Sequence, residues 1–234
     1  MNDETIKYIK SLYKNSINVE SEFFKNLRVQ YEKFPIIKED SSCFLISLLN
    51  IKKPTKVLEV GTCVGFSTML MASMYEDIHV TTIERYPMMI DIAKSNFDKY
   101  SFNQKITLIE ENAIYSIKNL ELNEKKFDFI FLDAGKGQYI KFLPHLLNLL
   151  NLNGILISDN VLQNNNISKK WSDIEKRNRT IYINMRKFLY AITNTRGLIS
   201  SILPIGDGIS ITTKIDNKII LNIPNEDFVK NFDY

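Results

Sequence analysis

The sequence predicts an α/β, doubly wound fold, with a mostly parallel sheet covered by helices on both faces. Three observations predict it. Five short β-branched or apolar runs alternate with longer segments whose apolar residues recur at helical spacing. Right-handed crossovers between parallel strands require connecting segments of about that length. After Asp159 the rhythm changes to a polar loop, one more helix and two strand-like runs joined by Gly206-Asp207-Gly208, which reads as a closing antiparallel hairpin.

In order, residues 3–33 and 41–50 read as N-terminal helices that cap the sheet or contact a second subunit. The strand KVLEV (56–60) precedes a helix near 66–75, and HVTTIE (79–84) precedes one near 87–100. KITLIE (105–110) leads into 112–120, FDFIFLD (127–133) into 138–150, and GILISD (154–159) is the fifth parallel strand. The polar stretch QNNNISKKWSDIEKRNR follows, then a helix near 178–194 and the strands LISSILPI (198–205) and GISITTK (208–214). Five strands plus the hairpin make a sheet of seven. No low-complexity linker or repeat interrupts the chain, so residues 1–234 read as a single domain with a C-terminal extension at 215–234.

Composition excludes some functions. The net charge of +3, from 30 basic and 27 acidic residues, is too slight to mark a nucleic-acid binder without a local patch. Cys43 and Cys63 make no metal-like cluster with His79 and His145, which argues against zinc. No apolar run approaches the ~18 residues of a membrane span, and the N-terminus lacks the apolar core of a signal peptide. A soluble, reduced, cytoplasmic protein with no membrane partner is expected.

The loops after the strands carry the chemistry. In VLEVGTCVGFST, Gly61 and Gly65 lie four apart, so the dinucleotide fingerprint GxGxxG is absent. Gly61 still lets a ligand approach the backbone, and Ser67 and Thr68 near a helix start suit a carboxylate. Glu84 ends the second strand, 23 residues after Gly61 (84 − 61), where an acidic side chain accepts hydrogen bonds from a ribose. The pair fits NAD or S-adenosylmethionine, and the carboxylate-sized loop tilts toward the latter; a tight turn with a solvated Glu84 is the plain alternative. LDAGKGQY resembles a phosphate loop but lacks the GxxxxGK[ST] spacing. Asp133 closes the fourth strand, and Asp159 with Asn160 closes the fifth, 26 residues later (159 − 133). Neighbouring strands would converge two carboxylates and an amide oxygen, a set that suits a hard cation such as Mg²⁺. Helix capping is the other reading of Asp133.

VLEVGTCVGFST, TTIE, LDAGKGQY, ISDNVL and LPIGDGISI, in this order and spacing, resemble the cation-dependent family of S-adenosylmethionine O-methyltransferases over roughly residues 30–214. That family includes catechol and caffeoyl-CoA methyltransferases and a bacterial branch acting on tRNA. Its signature is matched by Asp133, Ala134, Lys136 and Tyr139, followed by the Asp-Asn pair. The resemblance implies a Rossmann-like methyltransferase fold and a homodimer. It places Glu59, Gly61, Thr62, Gly65 and Ser67 around the methionine part of the cofactor, with Asp133 also close to it. Glu84 would hold the ribose, and Asn112 and Ala113 would flank the adenine, Asn112 standing where the family more often has Asp. Asp133, Asp159 and Asn160 would bind Mg²⁺ or another divalent cation. Lys136 would be the catalytic base, its pKa brought down by the cation and by desolvation.

The acceptor needs a hydroxyl beside a second oxygen, which fits a catechol and equally fits 5-hydroxyuridine. Lys169, Lys170, Lys176, Arg177, Arg179, Arg186 and Lys187 cluster beside Trp171 and Tyr182. Such a patch can bind phosphates while an aromatic ring stacks on a base. A solvated helix face, with Asp173 and Glu175 interspersed, is the bland alternative. The segment KRNRTIYINMRKFLYAI resembles the tRNA branch, so tRNA is the expected partner and the wobble uridine the expected substrate, with a small catechol-like molecule second. A nonenzymatic binding module would show a broken metal set or a missing lysine; here both are intact. Gln163-Asn164-Asn165-Asn166 and the tail from Ile215 depart from the family pattern.

Overall fold

Successive strands here bury both faces, and that property builds the molecule. The computed structural model describes residues 3–14 and 21–232; the part of the expected 3–33 helix at 15–20, and residues 233–234 of the tail, lie outside them. The chain runs through helices α1 (Asp3–Lys14), α2 (Glu22–Gln30) and α3 (Glu39–Lys52) before β1 (Lys56–Val60). It then alternates α4 (Phe66–Ala72), β2 (His79–Glu84), α5 (Pro87–Lys99), β3 (Ile106–Glu110), α6 (Ala113–Leu122), β4 (Phe127–Leu132), α7 (Tyr139–Leu149) and β5 (Leu150–Ser158). Three short 3₁₀ turns lie between β5 and α8 (Arg179–Asn194), and β6 (Leu198–Leu203), β7 (Ile209–Lys214) and α9 (Glu226–Asn231) complete the order.

The seven strands form one sheet in the order β3-β2-β1-β4-β5-β7-β6. The first five are mutually parallel, and β7 runs antiparallel to both β5 and β6. The doubly wound expectation holds, including the hairpin, although the last strand is inserted beside β5 and β6 takes the edge. The fifth strand starts four residues earlier than expected, at Leu150 rather than 154, because Leu150 pairs with Phe127 before a register shift in β4.

Alternation along each strand sends side chains to two separate cores. Val57, Val80, Phe129, Phe131 and Ile157 pack with α2 to α4 on one face. Leu58, Val60, Ile83, Ile130, Leu132 and Leu156 pack with α7 and α8 on the other. Phe127 breaks the parity set by Phe129 and joins the second core; the register shift between the two residues accounts for it.

The N-terminal helices also shape the site. Arg28 of α2 donates to the Ile37 carbonyl at 2.5 Å and to Ser42 Oγ at 3.0 Å. Its guanidinium lies 4.7 Å from the Phe66 ring centroid, so the stretch before α3 is tied down over the start of α4. The tail forms α9, which the sequence reading left without structure.

Phe129 is wholly buried in the central strand pair. Phe129→Ala is expected to cost about 3–5 kcal/mol of unfolding free energy, measurable by urea titration.

Candidate active site

Three backbone hydrogen bonds carry the parallel ladders one residue beyond the strands. Gly61 N–H donates to the Ile83 carbonyl (3.1 Å), Asp133 N–H to Val60 (3.0 Å) and Asp159 N–H to Leu132 (3.0 Å). The loops after β1, β2, β4 and β5 therefore leave from one edge of the sheet, where open α/β folds bind ligands. Gly61 has φ +108°, and a Cβ there would lie 2.1 Å from the Asp133 carbonyl oxygen. Only glycine permits this approach of the β1 loop to the end of β4.

A cavity of about 350 Å³ opens at that edge. Gly61, Thr62, Ser67 and Glu84 line one part of it, as the sequence predicts, and Asp133, Lys136 and Asn160 line another. Pro35, Ile36, Ile37, Tyr86 and Met89 supply an apolar wall that the sequence reading missed. The first three are placed there by the Arg28 clamp, which no local pattern announces. Glu84 is fixed by backbone donors: Cys63 N–H reaches Oε2 at 2.9 Å, and Arg85 and Tyr86 N–H reach Oε1 at 2.8 and 3.1 Å. These bonds orient the carboxylate at the cavity wall and leave lone pairs for a ligand hydroxyl. Burial pushes the Cys63 thiol up to about 11, so it stays protonated and unreactive.

Four expected cofactor contacts are placed differently. Glu59 is fully buried behind the loop and does not line the cavity. It accepts from Ser67 Oγ at 2.5 Å, from Thr82 Oγ1 at 2.6 Å and from Thr68 Oγ1. Glu59 thus positions Ser67, which does line the cavity. Thr82 Oγ1 also lies 2.6 Å from Thr62 Oγ1. With its one hydrogen committed to Glu59, Thr82 accepts from Thr62. A carboxylate within VLEV was the available signal for such a network, because a buried acid requires donors, and Thr82 faces Glu59 in the β1–β2 register. Gly65 faces α5, where an added Cβ would lie 2.5 Å from the Phe97 ring. Asn112 uses its side chain to cap α6, accepting from Ile114 N–H at 3.2 Å, and neither it nor Ala113 lines the cavity.

Asp133, Lys136 and Asp159 meet as expected, but Lys136 differs in its charge. Its Nζ lies 2.5 Å from Asp133 Oδ1 and 2.9 Å from Tyr139 Oη. Burial pulls the ammonium down; the charges and hydrogen bonds of Tyr139 and Asp133 outweigh it and hold the pKa above the usual lysine range. The lowering expected from the sequence is conditional on a cation beside Asp133; with Asp133 and Tyr139 alone around it, the amine is held as a cation. Tyr139 is anchored by donating to the carbonyls of Leu132 (2.9 Å) and Asp159 (3.1 Å).

Asp159 is nearly inaccessible and accepts Asn160 N–H at 2.7 Å. Burial first, and the Asp133 charge second, raise its pKa to about 7. Asn160 adopts the left-handed conformation (φ 55°) that asparagine tolerates. Two mutually repelling carboxylates beside an amide fit a hard divalent cation. No group of three His, Cys, Asp or Glu side chains suited to a metal occurs among the described residues.

The basic segment is divided: Arg179 and Arg186 are engaged within the protein, while Lys169, Lys170, Lys176 and Arg177 are exposed. Tyr182 is buried and donates to the Lys169 carbonyl at 2.9 Å, so it offers no face to a base. The Arg179 guanidinium lies 4.9 Å from the Trp171 ring centroid and donates to the Ile174 carbonyl. Arg186 bonds Tyr182 Oη and, at 2.8 Å, the Phe232 carbonyl. Arg177 pairs with Glu175 at 2.7 Å, while Lys169 and Lys170 are exposed.

Burial raises Glu59 to about 7, although its three hydroxyl donors pull it down. A carboxyl whose folded pKa exceeds its unfolded value contributes stability that is full below the unfolded pKa and lost as pH rises through the folded one. Between pH 4.5 and about 7, the wild type is expected to lose up to about 3 kcal/mol relative to Glu59→Gln. Denaturant titrations of both proteins across that range provide the check.

Comparison with known proteins agrees with this geometry. The family model described as O-methyltransferase matches residues 14–215. The caffeoyl-CoA O-methyltransferase of Populus kitakamiensis is 28% identical over 180 residues, covering 75% of this chain and 77% of its own length. A Staphylococcus aureus structure provisionally described as a caffeoyl-CoA O-methyltransferase superimposes with a TM-score of 0.81 at 31% identity, covering 91% of this chain and all (100%) of that one. An O-methyltransferase from Bacillus cereus, solved in complex with SAH, shares the fold with a TM-score of 0.76 at 23% identity, covering 88% of this chain and 97% of its own. The chain belongs to the O-methyltransferase family and is an S-adenosylmethionine-dependent O-methyltransferase.

Proposed function

We propose that this enzyme methylates one hydroxyl of a small acceptor bearing two adjacent oxygens, a catechol- or caffeoyl-CoA-like molecule, with the help of a divalent cation. The observation that carries this reading is the single cavity in which Gly61, Ser67 and Glu84 stand beside Asp133, Lys136 and Asn160. The first group suits the methionine and ribose parts of S-adenosylmethionine, and the second suits an acceptor oxygen.

In the reaction the acceptor oxygen bonds to the methyl carbon as the carbon–sulfur bond breaks, so the sulfonium becomes a thioether and the hydroxyl proton departs. Because the sulfonium already activates the methyl group, the protein must chiefly align the two reactants and handle that proton. Glu84, held by three backbone N–H groups, fixes the ribose, and Ser67, held by Glu59, fixes the amino-acid end. Asp133, Asp159 and Asn160 would hold a divalent cation, and the chemistry it would supply there is polarisation of the acceptor oxygen and a positive charge beside Asp133. With that positive charge supplied elsewhere, Lys136 would give up its own proton to solvent, and its neutral Nζ, held by Tyr139, would then take the acceptor proton.

The small-acceptor reading is supported by the relatives named caffeoyl-CoA O-methyltransferase. It is also supported by the internal use of Arg179, Arg186 and Tyr182, which withdraws part of the surface expected to grip a tRNA. The exposed Lys169, Lys170, Lys176 and Arg177 remain the support for the tRNA reading, in which the wobble 5-hydroxyuridine is the acceptor.

An in vitro methylation assay separates the two, offering a catechol, a caffeoyl-CoA-type thioester and tRNA carrying 5-hydroxyuridine. Transfer to the small acceptors, nearly independent of salt, is expected; transfer to tRNA alone, falling steeply with ionic strength, overturns the reading. Lys136→Ala is expected to lower kcat by about 10² to 10⁴ while the cofactor Kd, from calorimetry, stays near the wild-type value. Asp133→Ala and EDTA treatment should each abolish turnover, and an EDTA-treated enzyme that still turns over refutes the cation.

A further inference from the structure

The family model stops at residue 215, yet the chain beyond it is built into the fold. Asn222 N–H donates to Thr195 Oγ1 at 3.0 Å, just past the end of α8. From there the tail runs back along α8 toward its N-terminal half. Glu226 lies 3.9 Å from Lys187, and Phe228 and Phe232 pack against Tyr190 at ring distances of 5.1 and 6.3 Å. Val229 is buried in a cluster with Ile174, Tyr182, Ile183 and Trp171. The Lys230 ammonium lies 5.3 Å from the Trp171 ring centroid.

These contacts lead through α8 toward the loop that carries Lys136, the side that the proposed function gives to the acceptor. Phe232 holds Arg186 through its carbonyl, Arg186 bonds Tyr182 Oη, and Tyr182 donates to the Lys169 carbonyl. The tail thus fixes the 166–178 stretch, whose own structure is three short 3₁₀ turns. The same helix meets the loop that carries Lys136. Asn184 Nδ2 donates to the Gly137 carbonyl at 2.8 Å, and Ile181 lies against Gly137.

We propose that residues 222–232 are a positioning strap for the acceptor side of the site: by clamping α8 and the 166–178 stretch, they set acceptor affinity without touching the cofactor. Nothing in the strap contacts Gly61, Ser67 or Glu84, so cofactor binding is outside its reach. Short 3₁₀ turns with few internal hydrogen bonds depend on tertiary contacts for their order. A loosened 166–178 stretch would therefore have to be ordered at the expense of acceptor binding.

The test is the full chain carrying Phe228→Ala and Phe232→Ala together, measured in two ways. The first, which needs no acceptor, is hydrogen exchange of the 166–178 amides together with the cofactor Kd. Faster exchange confined to 166–178 and α8, with an unchanged cofactor Kd, is expected. The second rests on the proposed reaction: with whichever acceptor is turned over, KM should rise roughly tenfold, while kcat stays within about threefold. Phe228→Tyr with Phe232→Tyr, which keeps the ring contacts, should restore both readouts. If the double alanine variant does not fold, Val229→Ala is read by the same measurements. Unchanged exchange at 166–178 overturns the proposal, as does a cofactor Kd that weakens in step with acceptor KM. If neither acceptor class is methylated, the proposed function fails and the exchange arm still decides the strap.

Discussion

The site depends on one close approach, that of the Gly61 backbone to the Asp133 carbonyl where β1 and β4 end side by side. Parallel pairing brings the carboxyl ends of adjacent strands to one edge, and the ladder bonds of Gly61, Asp133 and Asp159 prolong that pairing into the loops. Without a Cβ at Gly61 the cofactor loop and the acid-lysine loop share a wall. A side chain there would force them apart by more than an ångström, since its first carbon would sit 2.1 Å from an oxygen. Every later feature, from the Glu84 carboxylate to the Asp133–Lys136 pair, takes its place from this edge.

Two acids next to that edge, Glu59 buried and Asp133 partly exposed, are handled in opposite ways. Glu59 receives only neutral hydroxyl donors, so burial wins and its pKa climbs to about 7. Its work is to hold Ser67 and, through Thr82, to join β1, β2 and the start of α4 into one hydrogen-bonded unit. Asp133 instead faces an ammonium, and the pair stabilises both charges. Lys136 is consequently held as an ammonium against Asp133. Asp159, pushed up by burial first and by the Asp133 charge second, takes a proton more readily than an exposed aspartate.

The basic segment shows how little a run of charges says before its partners are known. Arg179 and Arg186 are spaced as a helix face would be, and either could reach a phosphate in isolation. In the folded chain both guanidiniums stack on aromatic rings and donate to carbonyls. Their function is internal: they fasten α8 to the loop before it and to the tail behind it.

Sequence alone determined the strand-helix alternation, the hairpin at Gly206 to Gly208, and the meeting of Asp133, Asp159, Asn160 and Lys136. These follow from periodicity and from the rule that strand ends in an open parallel sheet converge, which are local or topological facts. Sequence also marked Gly61, Ser67 and Glu84, because loop chemistry is written in neighbouring residues. It did not give Glu59 its partners, the upward shift of Lys136, the wall made by residues 35–37 or the docking of the tail. Most of these depend on residues far apart in the chain, Thr82 on Glu59, Arg28 on Phe66 and Phe232 on Arg186, whereas Lys136 is shifted by Asp133 and Tyr139, each three residues away, whose side-chain geometry spacing alone does not fix. Electrostatic balance and burial are set by what surrounds a group in space, and only the tertiary structure decided that for this chain.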